Sequence, residues 1–181
     1  MPTEIEKKYR LSRAERDEVV IKLTSANALR VSEDFEENII YGGGNLDETQ
    51  SLLRLRRVER GATLTFKSTI DSTSDFKHRR EDETPVGNAD AMEAILRLLG
   101  FKIRLVYEKR RITWTWRSVE IVIDELPFGN YMEIEGEIDA IRDAEKQLGF
   151  EDLQVEHASY PALTRMLGQS LHDSTEARFE P

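Results

Sequence analysis

Several kinds of residue are scarce or missing in this chain of 181 residues, which has no cysteine and only three histidines. The lack of cysteine excludes disulfides, thiolate metal sites and a cysteine nucleophile, so a metal would be held by carboxylates or histidines. The apolar runs are short, such as Val19–Ile21, and fall far below the ~20 residues of a membrane span. The start, Met1–Glu6, has neither a basic nor an apolar segment, so no signal peptide is visible. These absences predict a cytoplasmic protein.

Surplus positive charge is missing as well. The chain has 26 lysines and arginines against 35 acids, a net charge of −9. A body this acidic is a poor general partner for nucleic acids or anionic membranes, so we expect neither as a partner. Hydrophobic residues make up 39% of the chain, which fits one compact domain. We expect that domain at residues 1–170, followed by a flexible polar tail at 171–181.

The hydrophobic pattern predicts a mainly β, α+β protein. Ser12 and Glu15 have the spacing of a capping box, which predicts a helix from Ser12 to about Arg30. Further helices are predicted at 89–99, 139–148 and 157–168. Strands are predicted at 3–11, 34–41, 51–59, 62–68, 76–85, 103–116, 119–126 and 131–138. Eight antiparallel strands are enough to close a barrel, which also removes exposed edges.

Sorting the strand residues by alternation separates an apolar face from a charged face. On any single strand this is what a half-solvated sheet shows, but the same pattern recurs in seven segments. We therefore predict an eight-stranded antiparallel barrel whose apolar faces lie outward under helices and whose charged faces line a tunnel. Trp114 and Trp116 fall on the apolar face and are expected to pack there. The charged face carries Glu4, Glu6, Lys8, Arg54, Arg56, Lys67, Arg79, Glu81, Glu83, Lys109, Arg111, Asp124, Glu133 and Glu135.

So many enclosed charges need partners. Divalent cations pair with carboxylates, and polyanions pair with clustered arginine and lysine. A metal–polyphosphate complex satisfies both, because Mg²⁺ binds carboxylates together with substrate phosphates and arginine suits phosphate oxygens.

Ordered motifs on these strands resemble one family. The chain reads ExExK at 4–8, LRLR at 53–56, TFK at 65–67, RxExE at 79–83, EKRR at 108–111, VIDELPFGNYMEIE at 122–135 and SYPAL at 159–163. In this order they are similar to the CYTH superfamily of triphosphate tunnel metalloenzymes, which includes class IV adenylyl cyclases and several triphosphatases. The family fold is an eight-stranded antiparallel barrel that forms a tunnel.

The resemblance implies roles for individual residues. Two Mg²⁺ or Mn²⁺ ions would be held by metal-binding carboxylates, with Asp124, Glu133 and Lys8 closest to the chemistry. Glu81 and Glu83 would be further tunnel carboxylates. The implied metal ligands are Glu4, Glu6, Asp124, Glu133 and Glu135. The implied triphosphate-binding residues are Lys8, Arg54, Arg56, Lys67, Arg79, Lys109 and Arg111.

The chain also departs from the family pattern. Tyr41-Gly42 stands where an aromatic-Asp pair is common, and Ala158 stands where many triphosphatases have lysine before the last Ser-Tyr. His157 is the alternative for that lysine, although a single histidine at a helix start is more often a surface residue.

The reaction favoured by these residues is hydrolysis of a triphosphate by in-line attack of water, since phosphoryl transfer needs mainly positioning and charge neutralisation. Two alternatives remain: a class IV cyclase that converts ATP to cyclic AMP and pyrophosphate, and a non-enzymatic sensor of polyphosphate or nucleotide. The expected partner is a small polyanion. A homodimer is an open option.

Overall fold

The computed structural model describes residues 3–49, 51–71 and 77–180, without the side chains of residues 3, 4, 69–71 and 77–79. Ten strands and four helices are defined in this part of the chain. In chain order they are β1 (Thr3–Leu11), α1 (Arg13–Ser25), β2 (Leu29–Gly42), β3 (Leu52–Val58), β4 (Gly61–Asp71), β5 (Lys77–Val86), α2 (Ala89–Leu98), β6 (Lys102–Trp116), β7 (Val119–Leu126), β8 (Gly129–Glu135), α3 (Ile138–Leu148), α4 (Tyr160–Leu167), β9 (Gln169–Leu171) and β10 (Ser174–Ala177).

The first eight strands form a closed ring of antiparallel pairs. Their order is β2-β3-β4-β5-β1-β8-β7-β6, and a further pairing of β2 with β6 returns to the start. The predicted eight-stranded antiparallel barrel with four helices is therefore confirmed. Strand β6 makes this closure possible because its 15 residues pair with β2 along one edge and with β7 at Arg110–Trp116 along the other.

The outer face of the barrel is apolar, as the alternation predicts. Tyr9, Ile121 and Ile134 of the strands pack with Leu23 of α1 and Ile141 of α3 in one buried cluster. That cluster also contains the two tryptophans of β6. A second buried cluster places α2 over β2, β3 and β4. Helices thus cover the barrel from outside, and the charged alternate positions are left to face inward.

Helix α1 begins as predicted but ends earlier. The Ser12 hydroxyl accepts the backbone N–H of Glu15, and the Glu15 carboxylate accepts that of Ser12, so the capping box is present. The helix stops at Ser25 instead of near Arg30, and Asn27 has a positive φ of 55°. The backbone turns there into β2, which begins at Leu29 and is longer than the predicted strand.

One end of the barrel interior is closed by apolar side chains. Tyr107, Leu126 and Tyr131 of the strands pack there with Tyr160 and Leu163 of α4. Helix α4 starts at a Ser159 cap whose hydroxyl accepts the backbone N–H of Ala162. A helix with this apolar face can lie across a barrel end because the strands present apolar residues to it there.

The segment expected to be a flexible tail has regular structure. Strand β10 pairs in parallel with β6 at Leu105–Tyr107, beyond the stretch that β7 covers, and β9 pairs with β10. The Arg178 guanidinium lies 2.8 Å from Glu37 and 2.9 Å from Glu108. The long β6 strand offers a free edge that these residues fill. The sequence does not reveal this edge, because it depends on where β7 stops.

Among the described residues, no helix has the length and apolar character needed to cross a membrane.

Candidate active site

Six of the predicted phosphate-binding cations converge on one cavity inside the barrel. The cavity measures about 60 Å³, and the carboxylates of Glu6 and Glu133 line it as well. It is small because acids and bases extend into the lumen and pair with each other there. The cations are Lys8, Arg54, Arg56, Lys67, Lys109 and Arg111. Two further predicted site residues, Glu4 and Arg79, have side chains that lie outside the described residues. Their backbones are paired between β1 and β5.

Four charged residues on β2, β6 and β7, here called the buried cluster, are Glu36, Lys109, Arg111 and Asp124. All are buried except Arg111, whose side chain is 17% exposed. The strand register creates the cluster, because Glu36 faces Lys109 across β2–β6 and Arg111 faces Asp124 across β6–β7. The Lys109 ammonium lies 3.3 Å from each of the two carboxylates. With two acids and two bases, the cluster is formally neutral.

Asp124 is fully buried, and both of its carboxylate oxygens accept hydrogen bonds from other side chains. Arg111 donates from Nε to Oδ1 at 2.7 Å and from Nη2 to Oδ2 at 2.5 Å. Tyr160 donates its hydroxyl to Oδ2 at 2.8 Å. A metal bound by Asp124 would have to displace some of these donors, so its predicted role as a metal ligand stays a prediction while its role as a counter-ion is evident.

Glu36 is a member of this cluster that the sequence analysis did not identify. It shares the inward face of β2 with Asn38, whose Nδ2 donates to Glu36 Oε2 at 3.2 Å. Burial alone would raise the pKa of Glu36, but the charges of Lys109, Arg111 and Arg56 outweigh it and hold the pKa well below its ordinary value. Alternation along β2 could have shown this residue, had charges on that strand been sorted as on the others.

The two bases of the buried cluster respond differently to burial. For Lys109, burial and the neighbouring Arg111 charge lower the pKa to about 8 despite the two carboxylates. For Arg111, burial alone would lower the pKa, but the charge of Asp124 and its hydrogen bonds raise it well above the ordinary value. Arg111 is therefore the more firmly charged of the two.

Lys8 on β1 is held over the end of the lumen that α4 closes. Its ammonium lies 3.1 Å from Glu133, its cross-strand neighbour on β8, and 3.8 Å from the centre of the Tyr160 ring. It also donates to the backbone carbonyl of Ala158 at 3.3 Å. Burial alone would lower the pKa of Lys8, but Glu133 and Glu6 raise it.

The start of α4 thus contacts the site through residues that strand alternation cannot reveal. Tyr160 donates a hydrogen bond to Asp124, and its ring lies against the Lys8 ammonium. The Ala158 carbonyl accepts a hydrogen bond from Lys8. His157 is exposed, as the surface interpretation expects. The motif around Tyr160 was recognised, but nothing in it predicted the contact with Asp124.

A second group of charges, here called the solvated cluster, lies on β3, β4 and β5 and consists of Arg54, Lys67, Glu81 and Glu83. Lys67 is 2.7 Å from Glu81, and Arg54 is 3.7 Å from Glu81 and 3.9 Å from Glu83. The Thr65 hydroxyl links the strands by donating to Glu83 at 2.9 Å and accepting from Arg54 at 3.3 Å. The two predicted tunnel carboxylates therefore contact cations of the cavity wall without lining the cavity, and Glu83 is the most exposed of the cluster.

The remaining metal candidates lie near each other on β1 and β8. Glu6 faces Glu135 across these strands, and Glu133 is two residues from Glu135 on the same face. Within the described part of the chain, no three acid or histidine side chains stand close enough to hold an ion by themselves. Mg²⁺ does not require such a cage, since it is commonly held by one or two carboxylates together with substrate phosphates. These oxygen donors beside clustered lysine and arginine side chains fit an ion of that kind.

The family of the chain follows from direct comparison. The CYTH domain family matches residues 2–161. The chain belongs to the CYTH family. This match contains all six cations of the cavity and both clusters.

Solved structures give the same result for the fold. The PH1819 protein of Pyrococcus horikoshii is 26% identical over 90% of this chain and 98% of its own, with a TM-score of 0.75. The PH1012 protein of the same organism is 22% identical over 87% and 96%, with a TM-score of 0.76. A candidate adenylyl cyclase of Hippeastrum, described as having a dominant triphosphatase activity, is 20% identical over 90% and 95%, with a TM-score of 0.71. No curated protein matches the chain.

Proposed function

We propose that this CYTH protein is a divalent-metal-dependent hydrolase of a small triphosphate, either inorganic triphosphate or the triphosphate group of an organic molecule. The observation that carries the proposal is the convergence of six lysines and arginines with carboxylates on one cavity inside the barrel. Clustered cations of this kind bind phosphate oxygens, and arginine does so in a bidentate manner. A buried site without a nucleophilic cysteine suits direct attack by water.

In this proposal the protein contributes mainly position and charge. Arg54, Arg56 and Lys67 bind and orient the phosphates from one side of the lumen, and Lys8 and Arg111 do so from the other. Their charges stabilise the negative charge that develops on the transferred and leaving groups. Glu6, Glu133 and Glu135 would hold Mg²⁺ or Mn²⁺, which supplies Lewis-acid activation of the phosphate and of the attacking water.

The closed end of the barrel determines the direction in which a phosphate chain lies in the tunnel. Because α4 and its tyrosine cover one end, a phosphate chain enters from the opposite end and brings its terminal phosphate toward Lys8 and Tyr160. Any organic group attached to the other end of the chain would remain near the open end.

A class IV adenylyl cyclase is the second candidate. It would use the same cations, with the ribose 3′-hydroxyl of ATP in place of water. The similar Hippeastrum structure, a candidate adenylyl cyclase with dominant triphosphatase activity, supports this as a second candidate. A sensor without turnover is the third.

Incubating the protein with inorganic triphosphate or ATP, with Mg²⁺ or Mn²⁺ and with EDTA, separates the three. We expect metal-dependent release of orthophosphate. Cyclic AMP and pyrophosphate would support the cyclase, and thermal stabilisation without products would support the sensor.

The metal assignment has its own matched test. Glu6→Gln and Glu135→Gln are each expected to lower the rate of orthophosphate release at least about a hundredfold, because a metal-holding oxygen is lost. Glu125→Gln is the control, since Glu125 lies on β7 but faces Arg110 on the barrel exterior. Unchanged rates in both tunnel variants would contradict the assignment of these carboxylates.

A further inference from the structure

Glu36 stands apart from the other acids of the tunnel. It is only 3% exposed and does not line the cavity, yet it lies directly behind cations that do. Its carboxylate is 3.3 Å from the Lys109 ammonium, 3.5 Å from Arg56 Nε and 4.0 Å from Arg111 Nε. Three cations of the cavity wall therefore share this one carboxylate. Such a residue needs an explanation beyond metal binding, because cations surround its carboxylate and it does not line the cavity.

We propose that Glu36 is an internal counter-anion that sets how tightly the tunnel binds its polyanionic ligand. This inference rests on the proposed binding of a triphosphate. Glu36 acts through its neighbours and is therefore a positioning and affinity-determining residue that does not itself touch the substrate.

The distances make this effect strong. A ligand phosphate in contact with Lys109 or Arg56 would lie roughly 6–7 Å from the Glu36 carboxylate, given ordinary hydrogen-bond lengths. At that distance, and with the effective dielectric constant of about 20 that suits protein sites, the repulsion corresponds to a tenfold or larger loss of affinity for each unit of ligand charge. Salt screens it weakly because the residue is buried.

The same carboxylate is needed when no ligand is bound. Without it, Lys109, Arg56 and Arg111 would lie close together in the wall with Asp124 and Glu133 as the remaining acids nearby. Uncompensated buried charge is strongly destabilising. Asn38 keeps the carboxylate in place by its hydrogen bond from Nδ2. Glu36 thus stabilises the empty tunnel and weakens the filled one, so that a polyanion is held without being trapped.

Glu36→Gln separates these two effects, since glutamine keeps the size of the side chain but removes its charge. A residue with only a structural role would lower stability and leave affinity unchanged or weaker. The counter-anion role predicts opposite changes: lower thermal stability of the protein alone and tighter binding of triphosphate.

The experiment measures binding of inorganic triphosphate, pyrophosphate and orthophosphate by calorimetry in EDTA, so that no turnover occurs. For Glu36→Gln we expect the Kd of triphosphate to fall at least about tenfold, with smaller decreases for pyrophosphate and the smallest for orthophosphate. With Mg²⁺ present, KM should fall and kcat should not rise. Glu37→Gln is the control, because Glu37 is the next residue on β2 but faces outward to Arg57 and Arg178.

The outcomes distinguish the inference from the function on which it rests. If neither the wild type nor Glu36→Gln binds triphosphate, the proposed function fails and the inference fails with it. If the wild type binds and Glu36→Gln binds no more tightly, or gains equally for all three anions, only the inference is overturned. Should Glu36→Gln be unfolded by itself, added triphosphate is expected to restore its fold, and absence of that rescue would also overturn the inference.

Discussion

The two charged clusters of the tunnel contain the same kinds of residue but differ in their contact with water. In the buried cluster the side chains of Asp124, Glu36 and Lys109 are at most 4% exposed, and that of the arginine is 17% exposed. In the solvated cluster the two cations are 9% and 12% exposed, whereas Glu81 is 21% and Glu83 is 45% exposed. The two clusters therefore differ mainly in how far their acids are exposed to water.

This difference indicates that the two clusters have different roles. Removing one partner from a desolvated ion cluster leaves an uncompensated buried charge, so its members are held in place by each other. Solvated pairs contribute little and exchange partners at low cost. The buried cluster is thus suited to fixing the shape and charge of the tunnel wall, and the solvated cluster is suited to releasing its cations to an incoming phosphate.

The largest expected effect comes from breaking the buried cluster at Asp124. Asp124→Asn removes the charge that holds Arg111 and Lys109, and we expect the free energy of unfolding to fall by about 3–5 kcal/mol. Urea unfolding followed by circular dichroism measures the change. Glu83→Gln in the solvated cluster is the matched control and should cost less than about 1 kcal/mol. Equal losses in the two variants would remove the distinction between the clusters.

A smaller effect, on binding instead of stability, is expected in the solvated cluster. Lys67→Met removes a cation that can turn from Glu81 to a phosphate, so the affinity for inorganic triphosphate should fall roughly 10- to 100-fold, the value of one charge-assisted hydrogen bond. Stability should change by less than about 1 kcal/mol. Calorimetric titration and urea unfolding of the same sample test both statements.

The control for this variant is Arg57→Met, because Arg57 lies on β3 beside the tunnel arginine Arg56 but faces outward to Asp90 and Glu93. It should bind triphosphate as the wild type does. If Arg57→Met binds triphosphate more weakly than the wild type and Lys67→Met binds it normally, the phosphate site lies elsewhere.

The same comparison shows what could be predicted from the sequence. Alternation with a period of two identified Lys8, Lys109 and Arg111 as inward residues, because a strand fixes the side of each side chain before any packing is known. It also predicted the closed barrel, since apolar and charged faces on so many strands leave few other arrangements. The motifs, which occur along the chain in the order typical of the family, then supported the same barrel.

What escaped prediction depends on contacts between distant parts of the chain. Asp124 has an inward position by alternation, but its complete burial follows from Tyr160 of α4, 36 residues away. The pairing of β10 with β6 depends on β7 ending early. Periodicity carries no information on such docking, so the division between a buried and a solvated cluster could not be read from the sequence.

The smallest expected effect concerns the hydrogen bond that connects α4 to the buried cluster. Tyr160→Phe removes a donor to Asp124 Oδ2, but Arg111 and Lys109 still donate to that oxygen, so no buried acceptor is left without a partner. The loss in the free energy of unfolding should therefore be about 1 kcal/mol. Tyr131→Phe is the control, because Tyr131 lies in the same apolar cluster at the α4 end of the barrel as Tyr160. Its hydroxyl is buried without a hydrogen-bond partner among the described residues. Its removal should be neutral or slightly stabilising, since no hydrogen bond is lost and an unsatisfied polar group disappears. If urea unfolding shows Tyr160→Phe to be as damaging as Asp124→Asn, the tyrosine is part of the buried cluster itself and the four charges do not hold one another in place unaided.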